Sequence, residues 1–224
     1  MTAILVLALS FAVFAQEPNR PKLTLEEILA QAQIVAKVAD SLKAETTVRY
    51  EQFSVFNRLN KDGSIKSTDT TIFIVTRKGE KELSREITYS SKGETDEKKI
   101  KKREKKVSLD MDDPNYDFSM FAEDENSYII EVKSKSDKPK EGEYEGKIVI
   151  DKESFITKRI DFDIPNPKGA LQEFDIDISF KSLEGGLVVP TDMTMHGYVK
   201  ALLGIVKVRF GGEFKFANYE IVTE

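Results

Sequence analysis

Gly146-Lys147-Ile148-Val149-Ile150-Asp151, Phe155-Ile156-Thr157-Lys158-Arg159-Ile160-Asp161-Phe162-Asp163-Ile164 and Phe174-Asp175-Ile176-Asp177-Ile178-Ser179-Phe180 place an apolar side chain on nearly every second position. Charged or small residues fill the positions between. Asp151–Ser154 and Pro165–Gly169 interrupt the pattern with turn-forming residues. Alternation of this kind over three consecutive segments specifies antiparallel strands with one apolar and one wet face. The stretch from Gly146 to Phe180 therefore builds a one-sided sheet, and another element has to cover its apolar face.

Composition narrows what such a sheet can do. The chain has 224 residues, 40% hydrophobic and 33% charged, enough for one sizeable core and a single domain. It has no cysteine, no tryptophan and one histidine, His196. Disulfides, thiolate metal sites and cysteine nucleophiles are excluded, and a triad or zinc site has one imidazole to draw on. The net charge of -5 gives no overall basic footprint for nucleic acid.

The rest of the chain reads outward from the sheet. Met1–Ala15 is uncharged and almost wholly apolar, and Val13-Phe14-Ala15 precedes Gln16 as at a signal-peptidase site, although the n-region carries no Lys or Arg. A signal peptide over residues 1–15 and one domain over 16–224 are expected. Fifteen apolar residues fall short of the roughly 20 that span a bilayer. Thr24-Leu25-Glu26-Glu27 is a capping box, and Leu25, Ile28, Leu29, Ala32, Val35, Ala36 and Ala39 follow at helical spacing to about Leu42. This amphipathic helix is the candidate cover. Glu45–Arg77 reads as a hairpin turning at Asn60-Lys61-Asp62-Gly63, with neither face of its first strand cleanly apolar. Asp110–Glu125, acidic with Pro114 and several aromatic residues, predicts a short helix or an irregular segment. Asp110, Asp112 and Asp113 lack the glycine and glutamate of a calcium loop. Strands continue from Tyr128 to Tyr219. His196 is expected to point outward on one of them. The fold class is mainly β (α+β), an antiparallel half-barrel sheet of about ten strands covered by an N-terminal amphipathic helix and a mid-chain helical segment.

Lys98–Lys106 packs seven cations into nine residues. Three readings are open: a solvated charge run, attachment to an anionic membrane surface or envelope protein, and nucleic-acid binding. No aromatic residues are interleaved for base stacking, which disfavours nucleic acid.

The order of helix, long antiparallel sheet and charged interruption resembles the LolA/LolB-like superfamily of periplasmic lipoprotein carriers. Thr24–Leu42 followed by Thr46–Phe56, the strand–aspartate turn–strand unit Gly146–Asp151 with Phe155–Ile160, and Phe214-Lys215-Phe216-Ala217-Asn218-Tyr219 carry the resemblance. It implies a non-enzymatic, monomeric carrier exported to the periplasm, enclosing lipid or lipoprotein acyl chains beneath a movable helix and needing no cofactor or metal. It also implies that Arg49 corresponds to a first-strand arginine holding that helix, whereas the residue read by itself is an exposed arginine on a sheet edge, since arginine is rarely buried. The residues expected to line the cavity are Phe53, Ile72, Ile74, Ile148, Ile150, Ile160, Phe162, Phe174, Ile176, Ile178, Met193 and Met195. The alternative is an envelope sensor or protein-interaction module with these side chains filling a solid core. A carboxylate-dependent glycan hydrolase would need two facing acids across a cleft, and no such pair is evident in the sequence.

Overall fold

A computed structural model describes residues 22–93, 110–167, 169–201 and 205–222. The proposed signal segment and Lys98–Lys106 lie outside these residues. The described chain forms one helix and one sheet, with α1 at Leu25–Glu45, β1 at Thr47–Leu59, β2 at Ile65–Lys78, β3 at Lys81–Ser90, β4 at Tyr116–Glu123 and β5 at Ser127–Ser134. β6 at Glu145–Asp151, β7 at Thr157–Asp163, β8 at Leu171–Ser182, β9 at Val188–Ala201 and β10 at Val206–Ile221 complete it. All ten strands share one open antiparallel sheet in the order β3-β2-β1-β10-β9-β8-β7-β6-β5-β4. The chain is thus an up-and-down ribbon whose first three strands join the last one through β1 and β10. The sheet is a half-barrel, as the alternation predicts.

Helix α1 begins where the capping box sets it. The Glu27 amide donates to Thr24 Oγ1 at 3.2 Å, and the Thr24 amide donates to Glu27 Oε2 at 2.8 Å. Glu26 and Glu27 lie at the positive end of the helix dipole and Lys43 at the negative end. The β-branched run Thr46-Thr47-Val48 then takes the chain directly into β1. Two polar contacts pin the helix across the sheet. Gln33 donates to Asp110 Oδ1 at 3.0 Å and accepts from the Met111 amide at 3.1 Å, and the Gly79 amide in the β2–β3 turn donates to the Lys43 carbonyl at 3.0 Å.

The apolar stripe of α1 faces one side of the sheet, called the inner face below. Ile28 and Ala32 are buried against Met111, Tyr116, Ile130, Val132, Ile148, Ile150, Ile160, Phe162 and Ile176. A second, smaller cluster of Tyr50, Phe73 and Val75 lies across β1 and β2, with Phe216 and Tyr219 packed on it. Burial of each large side chain in such clusters stabilises the fold by about 1.5–3 kcal/mol before entropy is counted.

Two expectations change. The mid-chain helical segment expected within Asp110–Glu125 is a turn followed by strand β4, and α1 is the one helix among the described residues. Tyr116, Phe118 and Met120 alternate with Asp117, Ser119 and Phe121 and pair in register with Ser134, Val132 and Ile130 of β5. The open edge of β5 outweighs the local turn chemistry around Pro114. Arg49, which the resemblance would have hold the helix, is instead exposed, as its residue type alone suggests, and pairs with Glu220 at 3.6 Å on the face away from α1. It has the parity of Glu51 and Phe53 and therefore cannot reach the helix from β1.

Candidate functional site

The inner face is the site with the most distinctive environment, because its cover is incomplete. Cross-strand register carries one apolar row through Ile148, Ile160, Ile178, Met193 and Phe214. A second runs through Phe162, Ile176, Met195, Gly212 and Phe56. Over β5–β7 these rows are sealed by α1: Ile130, Ile148 and Ile150 have no exposed surface. Over β8–β10 the same rows continue as half-buried Phe174, Ile178, Phe180, Met193, Met195, Phe214 and Phe216. The facing helix residues Val35, Ala36, Ala39 and Leu42 are half-buried as well. One helix cannot blanket ten strands, so the middle of the inner face keeps an apolar stripe in contact with solvent.

The twelve residues expected to line a cavity divide by register. Ile148, Ile150, Ile160, Phe162 and Ile176 are buried in the packed core under α1. Phe174, Ile178, Met193 and Met195 border that core on the half-buried stripe. Phe53 pairs with Ile72, and Ile74 pairs with Glu51, which sets these three on the opposite, outer face. β1 and β2 carry apolar residues at both parities, so their sequence alone does not choose a face. Phe56, Phe180, Phe214 and Phe216 join the stripe beyond these twelve, Phe180 as the alternation through Phe174–Phe180 implies. For Phe214 and Phe216 the alternation with Lys215 was the available signal.

An open cleft of about 360 Å³ borders the stripe at Phe180 and is lined by Asp151, Ser154, Ile156, Lys158, Phe180, Lys181 and Ser182. The Asp151 carboxylate organises one wall. It accepts from the Ser154 amide at 2.8 Å, from Ser154 Oγ at 2.7 Å and from the Glu153 amide at 3.2 Å, and it pairs with Lys158. Burial resists ionisation of Asp151, but donation from Lys158 and Ser154 outweighs it and holds the carboxyl down at about 2. Lys181 lies opposite, its ammonium 5.6 Å from the centre of the Tyr219 ring. That geometry is a cation–π contact.

The outer face is charged. Register sets Asp161 opposite Asp177 and Asp163 opposite Asp175. Like charges so placed repel, and Arg159 relieves one pair by binding Asp177. His196 points outward as expected, and its Nδ1 lies 2.9 Å from Asp175 Oδ2. That partner, 21 residues away in sequence, becomes visible only through strand pairing. Both side chains are largely exposed on the outer face of the sheet. Among the described residues no group of three or more acidic or histidine side chains is arranged to hold a metal ion. Asp110 and Asp113 spend their oxygens on Gln33, Asp112 and Asn115 instead.

No family model and no curated protein matches this chain. Solved structures similar to it include a LolA superfamily protein from Nitrosomonas europaea, with 10% identity over 91% of this chain and 96% of that one and a TM-score of 0.44. A putative outer membrane lipoprotein-sorting protein domain from Vibrio parahaemolyticus matches with 10% identity over 87% and 94% of the two chains and a TM-score of 0.39. A DUF1329 family protein from Desulfovibrio piger matches with 13% identity over 86% and 92% and a TM-score of 0.35. Among the described residues no helix is long and apolar enough to cross a membrane.

Proposed function

We propose that this chain is an exported, non-enzymatic binding protein or carrier for lipids or lipoprotein acyl chains in the bacterial envelope. The observation that carries the reading is the graded burial of one continuous apolar face. It is sealed by α1 over β5–β7 and only half-covered over β8–β10. A soluble domain gains by covering such a stripe, and an acyl chain laid along it gains about 0.8 kcal/mol per methylene removed from water. Ile178, Met193 and Phe214 would touch the chain from below and Val35 and Ala39 from above. Flexible Met193 and Met195 suit a ligand whose length and unsaturation vary.

Displacement of a fluorescent polyene fatty acid tests this. The wild-type chain is expected to bind it saturably, and Met193→Glu is expected to weaken binding at least about tenfold, because a carboxylate placed on the stripe must be desolvated beneath the ligand. Phe53→Glu, on the outer face, is the control and should leave affinity unchanged. Equal affinity of the two variants would remove the stripe from the binding site.

A further inference from the structure

The cleft lies where β7 and β8 part at the end of their ladder. The β7–β8 ladder stops at Arg159↔Ser179, although β7 begins two residues earlier at Thr157 and β8 runs three residues further to Ser182. The β8–β9 register shifts at Ser179/Phe180, the same point at which the β7–β8 ladder ends, and the Asp151–Ser154 turn joins β6 to β7 beside it. The strands part, and their polar side chains line the gap on both sides.

The gap has a chemical polarity. On its inner side Phe180 packs against the main core, so the floor is continuous with the apolar stripe. At its rim Lys158 is neutralised by Asp151. Lys181 has no carboxylate partner among the described residues and leaves the rim with one positive charge that no carboxylate compensates, while Ser182, which also lines the rim, donates its hydroxyl to the Leu183 carbonyl at 3.2 Å. An apolar floor leading to a rim whose ammonium is held only by an aromatic ring suits a ligand with an anionic end and a hydrocarbon remainder.

We infer that this cleft is a headgroup subsite that takes the phosphate or carboxylate of an anionic amphiphile, with Lys181 as its principal cation, while the acyl chain lies along the β8–β10 stripe. The inference rests on the carrier reading and narrows it from any acyl chain to an anionic one. Lys181 exchanges its contact with the Tyr219 ring for a charge-assisted hydrogen bond, the stronger of the two where the anion is partly desolvated.

The test compares two single-chain lipids with the same palmitoyl tail, lysophosphatidylglycerol and lysophosphatidylcholine, each displacing the polyene fatty acid from the full chain below its micellar concentration. The wild-type chain should prefer the anionic lipid by about tenfold, the scale of one charge-assisted hydrogen bond. Lys181→Gln should abolish the preference by weakening the anionic lipid alone, and Lys66→Gln on the exposed β1–β2 hairpin should preserve it. Inorganic phosphate should compete with the anionic lipid only. Equal binding of the two lipids by the wild-type chain, or a preference that survives Lys181→Gln, overturns the headgroup subsite and leaves the carrier reading standing. Binding of neither lipid overturns both. Binding of inorganic phosphate without either lipid assigns the cleft to a free anion and overturns the inference as well.

Discussion

Gly146→Ala is expected to destabilise the protein by about 3 kcal/mol or more, with loss of the native fold at physiological temperature as the extreme outcome. Gly146 sits in β6 between Val132 of β5 and Phe162 of β7, with φ at +151°. A Cβ built there would lie 2.0 Å from the Asp161 carbonyl oxygen and 3.0 Å from its carbon. These are backbone atoms of the neighbouring strand and cannot swing away as a side chain could. Unfavourable φ costs on the order of 1–3 kcal/mol, and forcing two strands apart in a packed core costs a similar amount. Gly63→Ala carries the first contribution alone, so the difference between the two variants is the second. Gly63 also has positive φ, at +84°, but nothing lies within 4 Å of its added Cβ. Chemical denaturation should therefore separate the two variants by about 2 kcal/mol. Equal losses would contradict the β6–β7 register.

Phe162→Ala is expected to cost about 3–5 kcal/mol, on the order of 10 °C in Tm for a domain of this size. Phe162 is 1% exposed and forms one end of a column of three rings. Its centroid is 4.4 Å from Tyr144, which in turn stacks 4.6 Å from Tyr116. Burial pushes the Tyr144 hydroxyl far above its usual range, as expected for a phenol deep in this column. Truncation leaves a cavity that the strands on either side cannot close, because β6 and β8 are held by their own ladders. Phe174→Ala, one strand away on the half-covered stripe, should cost less than half as much, since part of its surface is already in water. Thermal unfolding of the pair measures the difference between sealed core and open stripe. A Phe174 variant as damaged as the Phe162 variant would mean that the stripe is core and not a groove.

Much of the fold is legible in the sequence because its pattern is locally unambiguous. Through the middle of β6, β7 and β8 the inner positions Ile148, Ile150, Ile160, Phe162, Phe174, Ile176, Ile178 and Phe180 are apolar and nearly every outer one is charged or small, so the parity of Ile148, Phe162 and Ile176 follows without knowledge of their neighbours. The capping box and stripe define α1 in the same local way. The sequence is silent where the deciding interaction is distant. Phe53, Ile72 and Ile74 lie on strands with apolar residues at both parities, and only pairing with β10 and β3 settles which side meets the helix. The alternation of Tyr116, Phe118 and Met120 is short and follows Pro114 and an acidic run, so turn chemistry obscures β4. The His196–Asp175 contact depends on register between β8 and β9. The cleft at Lys181 arises because two strands diverge, an event with no periodic trace in either strand.

The incompleteness of the helical cover is legible in neither pattern nor composition, and the functional reading depends on it. Native mass spectrometry of the chain, purified gently from cells that export it and followed by solvent extraction, tests that reading most directly. The account predicts a discrete adduct of lipid mass that extracts into organic solvent and whose occupancy falls in Met193→Glu. A clean unliganded mass, unchanged after incubation with lipids and acylated peptides, would contradict it and leave a filled-core interaction module as the better description of this sheet and its helix.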